Sequence, residues 1–168
     1  RPMRRPLVVM SPKSLLRHKL ATSTLEELAN GQFLNVIADD SVKPADVKRV
    51  VLCSGKVYYN LLEERTARAQ DNVALIRLEQ LYPFPEQELQ AALKPFTGLQ
   101  DVVWCQEEPM NQGAWYSSQH HMRRAVQQHD ASLRLDYVGR EASAAPAGGY
   151  MSAHLEEQTR FINAALGV

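Results

Sequence analysis

The chain has 168 residues, 45% hydrophobic and 23% charged, and its 19 Lys and Arg balance 19 Asp and Glu to a formal net charge of zero. That length accommodates one compact domain with a continuous core and leaves little room for two. The balanced charge supplies no field to gather nucleic acid or an anionic membrane surface, and no apolar stretch approaches the roughly 20 residues of a membrane span. The opening Arg1-Pro2-Met3-Arg4-Arg5-Pro6 is followed by no signal-type apolar segment, and a start on Arg is expected for a piece of a longer chain.

In chain order, Leu7-Val8-Val9-Met10 is a short apolar run that predicts a buried strand, with Ser11 as N-cap and Pro12 as first residue of a helix carrying Leu15-Leu16. Thr24 caps a second short helix, Leu25 to Ala29, which Asn30-Gly31 stops. Asp39 to Asp46, with Pro44, reads as a solvated connection. From Arg49 the pattern becomes regular. Val50 to Cys53 predicts a strand, Ser54-Gly55-Lys56 a turn and Val57 to Gln70 a helix; Val73 to Leu78 is the next strand, and the Tyr82-Pro83-Phe84-Pro85 loop leads to a helix from Glu86 to Leu93. Asp101 to Cys105 is a third strand, Gln106 to Asn111 a loop and Gln112 to Gln128 a helix. Leu133 to Val138, the small-residue loop Ala142 to Gly149 and a helix from Ser152 to Ala165 complete the series. Buried apolar strands alternating with helices predict a three-layer α/β fold, a mostly parallel sheet with helices on both faces, because parallel neighbours need crossovers.

In such a sheet, ligands meet the loops at the carboxyl ends of the strands. Those loops carry Lys13, Ser14, Lys56, Glu79, Gln80, Glu107, Glu108 and Arg140. Ser54-Gly55-Lys56 and Ser11-Pro12-Lys13-Ser14 each open a helix and could hold an anion, but neither is a Walker sequence or GxGxxG, so capping and ion pairing are the default. Glu107 and Glu108 are adjacent, so on extended backbone they point apart and form no shared acid/base pair. The expected arrangement is one glutamate paired with Lys56 or Arg140 and the other capping a helix or facing water. Cys53 and Cys105 follow apolar runs as reduced thiols of a cytoplasmic protein, without zinc spacing. His120 and His121 stand about 100° apart on a helix, not at the i, i+4 spacing of a zinc pair. One is expected to pack while the other is exposed. Tyr82-Pro83-Phe84-Pro85 is stiff and apolar, which suits a docking rim.

Several ordered stretches together are more specific: RRPLVVMSPKSLLR at 4–17, SGKVYY at 54–59, EQLYPFP at 79–85, WCQEEPMNQGAW at 104–115, YVGREASAAP at 137–146 and GYMS at 149–152. With these the chain resembles the carboxyl-terminal part of the thiamine-dependent decarboxylating component of bacterial-type 2-oxoglutarate dehydrogenase. The resemblance implies a single transketolase C-terminal-like domain over 1–168, part of a longer enzyme. That enzyme would decarboxylate 2-oxoglutarate on thiamine diphosphate with magnesium and succinylate the lipoyl group of its succinyltransferase partner in the citric acid cycle. It further implies a homodimer and the remaining domains of the parent chain as partners, with no nucleic acid and no membrane.

Enzymes of this family hold the cofactor through a Gly-Asp-Gly motif that this sequence does not contain, and their catalytic histidines belong to earlier domains. No catalytic, cofactor-binding or metal residue is therefore transferred, no cofactor is expected on these residues alone, and they are expected to be inactive alone. Lys13, Lys56, Glu79, Tyr82, Glu107, Glu108 and Arg140 are candidates for an interdomain edge. Some members bind nucleotide or acyl-CoA effectors, and Arg4, Arg5, Lys13, Ser14 and Arg17 form the candidate anion site. The alternative is a free-standing α/β module that binds a phosphorylated small molecule or nucleotide. Separation from covering domains predicts an exposed apolar patch and self-association.

Overall fold

The computed structural model describes residues 4–168; Arg1, Pro2 and Met3, the opening of the chain, lie outside the described residues. Two compact units are present, one ending at Gln32 and the other spanning Phe33–Val168.

In the first unit, a 3-10 helix covers Lys13–Arg17 and a short helix α1 covers Leu25–Asn30; neither contains a buried residue. Thr24 caps α1 through a full capping box: its hydroxyl accepts from the Glu27 amide, and the Glu27 carboxylate accepts from the Thr24 amide. Two sequence expectations fail here. Leu7–Met10 is no strand but exposed, irregular chain, since a strand needs a neighbour to pair its backbone and the described residues of this unit contain no other strand. Pro12, not Ser11, occupies the N-cap of the 3-10 helix, and it makes no side-chain cap.

The second unit is a five-stranded sheet in the order β1-β3-β2-β4-β5, from β1 Val36–Ile37, β2 Arg49–Cys53, β3 Val73–Leu78, β4 Asp101–Pro109 and β5 Leu135–Arg140. Only the two-residue β1 runs antiparallel. Helices α2 Val57–Ala67, α3 Glu86–Leu93, α4 Trp115–His129 and α5 Met151–Leu166 cover it. Val50, Leu52, Ala74, Ile76, Val102 and Trp104 face Leu89 and Leu93 of α3 and Met122, Ala125 and Val126 of α4. Val51, Cys53, Leu75, Val103 and Cys105 face Val57 and Leu61 of α2 and Phe161, Ile162 and Ala165 of α5. Alternate residues of one strand thus enter two separate cores, which is why 50–53, 73–76 and 102–105 are apolar without a break. The three-layer α/β expectation is met.

Differences from the expected elements have local causes. β4 runs four residues past Cys105, because the Met110 amide still reaches the Arg140 carbonyl at 3.1 Å. β5 starts at Leu135 because Asp130 folds the preceding residues into a turn, accepting from the Ser132 amide and hydroxyl, while Leu133 bonds back to the Asp130 carbonyl. The 39–46 connection is not merely solvated. The Asp39 carboxylate, with only 7% of its side chain exposed, pairs with Arg65 and accepts from the Leu75 amide and from Ser41.

Candidate functional site

The chain leaves β2 through α2 on one face of the sheet and leaves β4 through α4 on the other, so a topological switch point opens between the carboxyl ends of β2 and β4. Cys53 and Cys105 are direct neighbours in this parallel pair. Both thiols are fully buried, and burial first of all pushes the Cys53 pKa up to about 12 and that of Cys105 well above its usual value. Burial thus favours the neutral thiol over the thiolate at both positions.

Just beyond the cysteines, Lys56 Nζ, at the N-cap of α2, stands 2.9 Å from Glu107 Oε2 at the end of β4. The crevice is therefore spanned by an ion pair. Glu108 points away and is exposed, as adjacent residues on extended backbone must be. Both glutamates ride on a β-bulge: Cys105 opposes Val138 and Pro109 opposes Arg140, so four steps along β4 (109 − 105) match two along β5 (140 − 138).

Gln106, 3% exposed, holds that bulge in place. Its Oε1 accepts from Trp104 Nε1 at 2.9 Å and from the Trp115 amide at 3.1 Å. Its Nε2 donates to the carbonyls of Glu108, Pro109 and Gln112 at 3.2, 3.1 and 2.8 Å. Gly113 adopts φ +64° against this amide, where a Cβ would come within 3.1 Å of it. Gly139 on β5 is required by close approach, since a Cβ there would lie 2.8 Å from the Gln106 carbonyl. The Tyr137 hydroxyl donates to the Arg140 carbonyl at 2.9 Å, and burial foremost raises its pKa to about 12. Asn111 clamps the small-residue loop, its amide donating to the Ser143 carbonyl at 3.0 Å while its Oδ1 accepts from the Ser143 amide at 2.9 Å.

The remaining edge candidates are placed as follows. Glu79 lies 3.0 Å from Arg77 Nε, and the Arg77 guanidinium sits 4.5 Å from the Tyr58 ring centroid and 5.6 Å from that of Tyr59. Tyr82 is 91% exposed. Arg140 is buried, with Nη2 3.0 Å from His154 Nδ1 and Nε 3.3 Å from Glu157 Oε2, and so ties β5 to α5. His121 stacks on Phe84 at 5.0 Å and faces Glu86 at 3.7 Å, while His120 is exposed. In the first unit, Arg4, Arg5, Lys13, Ser14 and Arg17 are all exposed. At three residues per turn, Ser14 and Arg17 share one face of the 3-10 helix and Lys13 lies on another.

Sequence reasoning anticipated the Lys56–Glu107 pair but missed Gln106, the Arg77–Tyr58–Tyr59 stack and the Asn111–Ser143 clamp. A signal for Gln106 existed: a buried Trp needs an acceptor for its indole N–H, and Gln106 stands two residues from Trp104 on the same side of the strand. Among the described residues no group of three His, Cys, Asp or Glu converges as metal ligands, and no helix is long and apolar enough to cross a membrane.

The family model described as 2-oxoglutarate dehydrogenase C-terminal matches residues 22–166. The chain is 59% identical to a 2-oxoglutarate dehydrogenase E1 component of Azotobacter vinelandii over 100% of its own length, and 57% identical to one of Haemophilus influenzae over 99%. It spans only 18% of the length of each of these relatives. Among solved structures it is similar to a split gene transketolase, inactive beta4 tetramer, with a TM-score of 0.55 at 15% identity over 81% of this chain and 43% of that one. That likeness places the fold among transketolase-like α/β structures. With the family match covering the whole sheet and its helices, the chain belongs to the 2-oxoglutarate dehydrogenase C-terminal family.

Proposed function

We propose that these residues form the C-terminal structural and interface domain of a 2-oxoglutarate dehydrogenase E1 component. The parent enzyme decarboxylates 2-oxoglutarate on thiamine diphosphate with magnesium and succinylates the lipoyl group of a succinyltransferase partner in the citric acid cycle, as a cytoplasmic homodimer. The observation that carries this reading is the state of the crevice between β2 and β4. Where an open α/β sheet would offer a ligand site, Lys56 and Glu107 neutralise each other, the two thiols below are buried, and Gln106 spends its amide on the backbone.

The residues present do not fit the cofactor. The sequence has no Gly-Asp-Gly, and the described acidic side chains form no cation cage, so no catalytic step is derived from them. The carboxyl edge instead offers a polar rim, Lys56, Glu79, Glu107 and Glu108, beside the exposed Tyr82, a composition suited to docking on neighbouring domains. Decarboxylation of 2-oxoglutarate with thiamine diphosphate and magnesium is the test: the full-length protein turns over and the 168-residue chain does not. Turnover by the 168-residue chain would overturn the assignment. Arg4, Arg5, Lys13, Ser14 and Arg17 remain the candidate site for a phosphate-bearing effector. Salt-sensitive binding of AMP or acetyl-CoA in isothermal titration, abolished by Arg5→Ala with Lys13→Ala, is the expected result for that site.

A further inference from the structure

Between the 141–149 loop and α5 lies a cleft of about 450 Å³, whose walls include Arg140, Ser143, Gly148, Gly149, Glu157 and Arg160. Small-molecule sites are clefts of roughly 300–1,000 Å³ on which a few polar groups converge. Neither Lys56 and Glu107 nor the Arg4–Arg17 cluster lines this one. The loop is pinned at one end, where Asn111 grips Ser143 by two bonds and the Gln112 side chain donates to the same carbonyl at 3.2 Å. At its other end a Cβ on Gly149 would meet nothing within 4 Å, and one on Gly148 only the Tyr150 carbonyl at 4.0 Å, so the backbone there is open to approach.

Two guanidiniums meet this space, and both have bonding capacity left. Arg140 is only 7% exposed, and its Nη2 bonds to His154 Nδ1. Glu157 Oε2 stands 3.3 Å from its Nε but out of line with the N–H, so Nε is buried without a hydrogen bond. A buried donor without an acceptor is costly, and a guanidinium presents its N–H groups as a rigid fork that matches phosphate oxygens. Arg160 is exposed and has no hydrogen bond or ion pair among the described residues. It follows Glu157 by three positions, so the two share one face of α5 beside the cleft.

We propose that this cleft binds a phosphate dianion, free or as the monoester of a small molecule, with Arg140 at its floor, Arg160 at its mouth and Glu157 swinging aside to admit it. The Glu157 carboxylate holds the anion's place with a single charge and poor alignment. A phosphate brings two charges and oxygens that can line up with Nε. Every residue invoked belongs to the second unit, so the site does not depend on which enzyme the parent chain forms.

Titration calorimetry of the full-length protein tests this, with sodium phosphate in one arm and glycerol 3-phosphate in the other, both at constant ionic strength set by chloride. The tighter of the two identifies the free ion or the monoester as the natural form. Glu157→Gln removes the competing carboxylate and is expected to tighten binding severalfold, whereas Arg160→Ala is expected to weaken it about 10-fold. General attraction to anions elsewhere on the protein would leave both variants like the native protein. Arg140→Lys keeps the charge without the fork and is expected to weaken binding as well; because Arg140 also ties β5 to α5, the other two variants decide the matter if this one fails to fold. Amide spectra of the 168-residue chain locate the site through saturating shifts at Gly148 and Gly149. Shifts confined to residues 4–17, shifts that do not saturate, or equal affinity in the native, Glu157→Gln and Arg160→Ala proteins each overturn the proposal.

Discussion

A primary amide donates and accepts at once without carrying charge, and Gln106 uses both ends on groups that folding removes from water. Replacing it with Ala leaves Trp104 Nε1 and the Trp115 amide without their acceptor inside the core. The expected loss is about 2–4 kcal/mol, read as a lowered urea midpoint. Gln106→Met keeps the volume and loses the bonds, so it is expected to fall close to the Ala variant. Asp39 makes a prediction in pH. Burial alone would raise its carboxyl, but the bonds from Ser41, the Leu75 amide and Arg65 outweigh that and hold its pKa below the ordinary value. A folded pKa below the unfolded value of about 3.9 means a contribution that is complete above that value and is lost as pH falls through the folded pKa. Asp39→Asn should therefore lower stability at neutral pH and flatten its decline on the acid side. Urea midpoints measured from about pH 7 down to about pH 3 check both.

At the scale of elements, α5 is held at its end by β2. Arg49 Nη1 donates to the Ala164 and Ala165 carbonyls at 2.8 and 2.9 Å, and its Nη2 pairs with Asp101 at the start of β4. Arg49→Ala should cost about 1–3 kcal/mol and speed exchange in the last turn of α5 before the sheet itself opens, which residue-resolved exchange can order. The elements legible in the sequence were those with the deepest burial: 50–53 in β2, 73–76 in β3 and 102–105 in β4 are unbroken apolar runs because each strand feeds two cores. What escaped detection has a common cause. β1 is two residues long and exists only because β3 offers its edge; the bulge under Glu107 and Glu108 depends on the register with β5; and Arg77 meets Tyr58 and Tyr59 only once α2 folds over the sheet. Leu7–Met10 is the opposite case, a strand signal in a chain that supplies it no sheet. The Lys56–Glu107 pair was legible because both residues end elements on the same edge.

For the whole molecule, exposed apolar surface sets the behaviour in solution. Besides Leu7–Met10, the side chains of Leu25, Leu28, Phe33, Tyr82, Tyr150 and Met151 are each more than 70% exposed. Such surface on an isolated chain favours association. Sedimentation velocity of the 168-residue chain is expected to show a weight-average mass that rises with concentration, and a constant monomer would count against it. The first unit carries a further liability, because Lys13, Arg17 and Lys19 are exposed in a stretch with no buried anchor, whereas Arg65 and Arg140 are shielded within the second unit. Trypsin should therefore shorten the chain from its front long before it breaches the sheet. The truncated species would begin at Leu20, two residues ahead of the point where the family match starts, so a protease would leave a species that still holds every residue of that match.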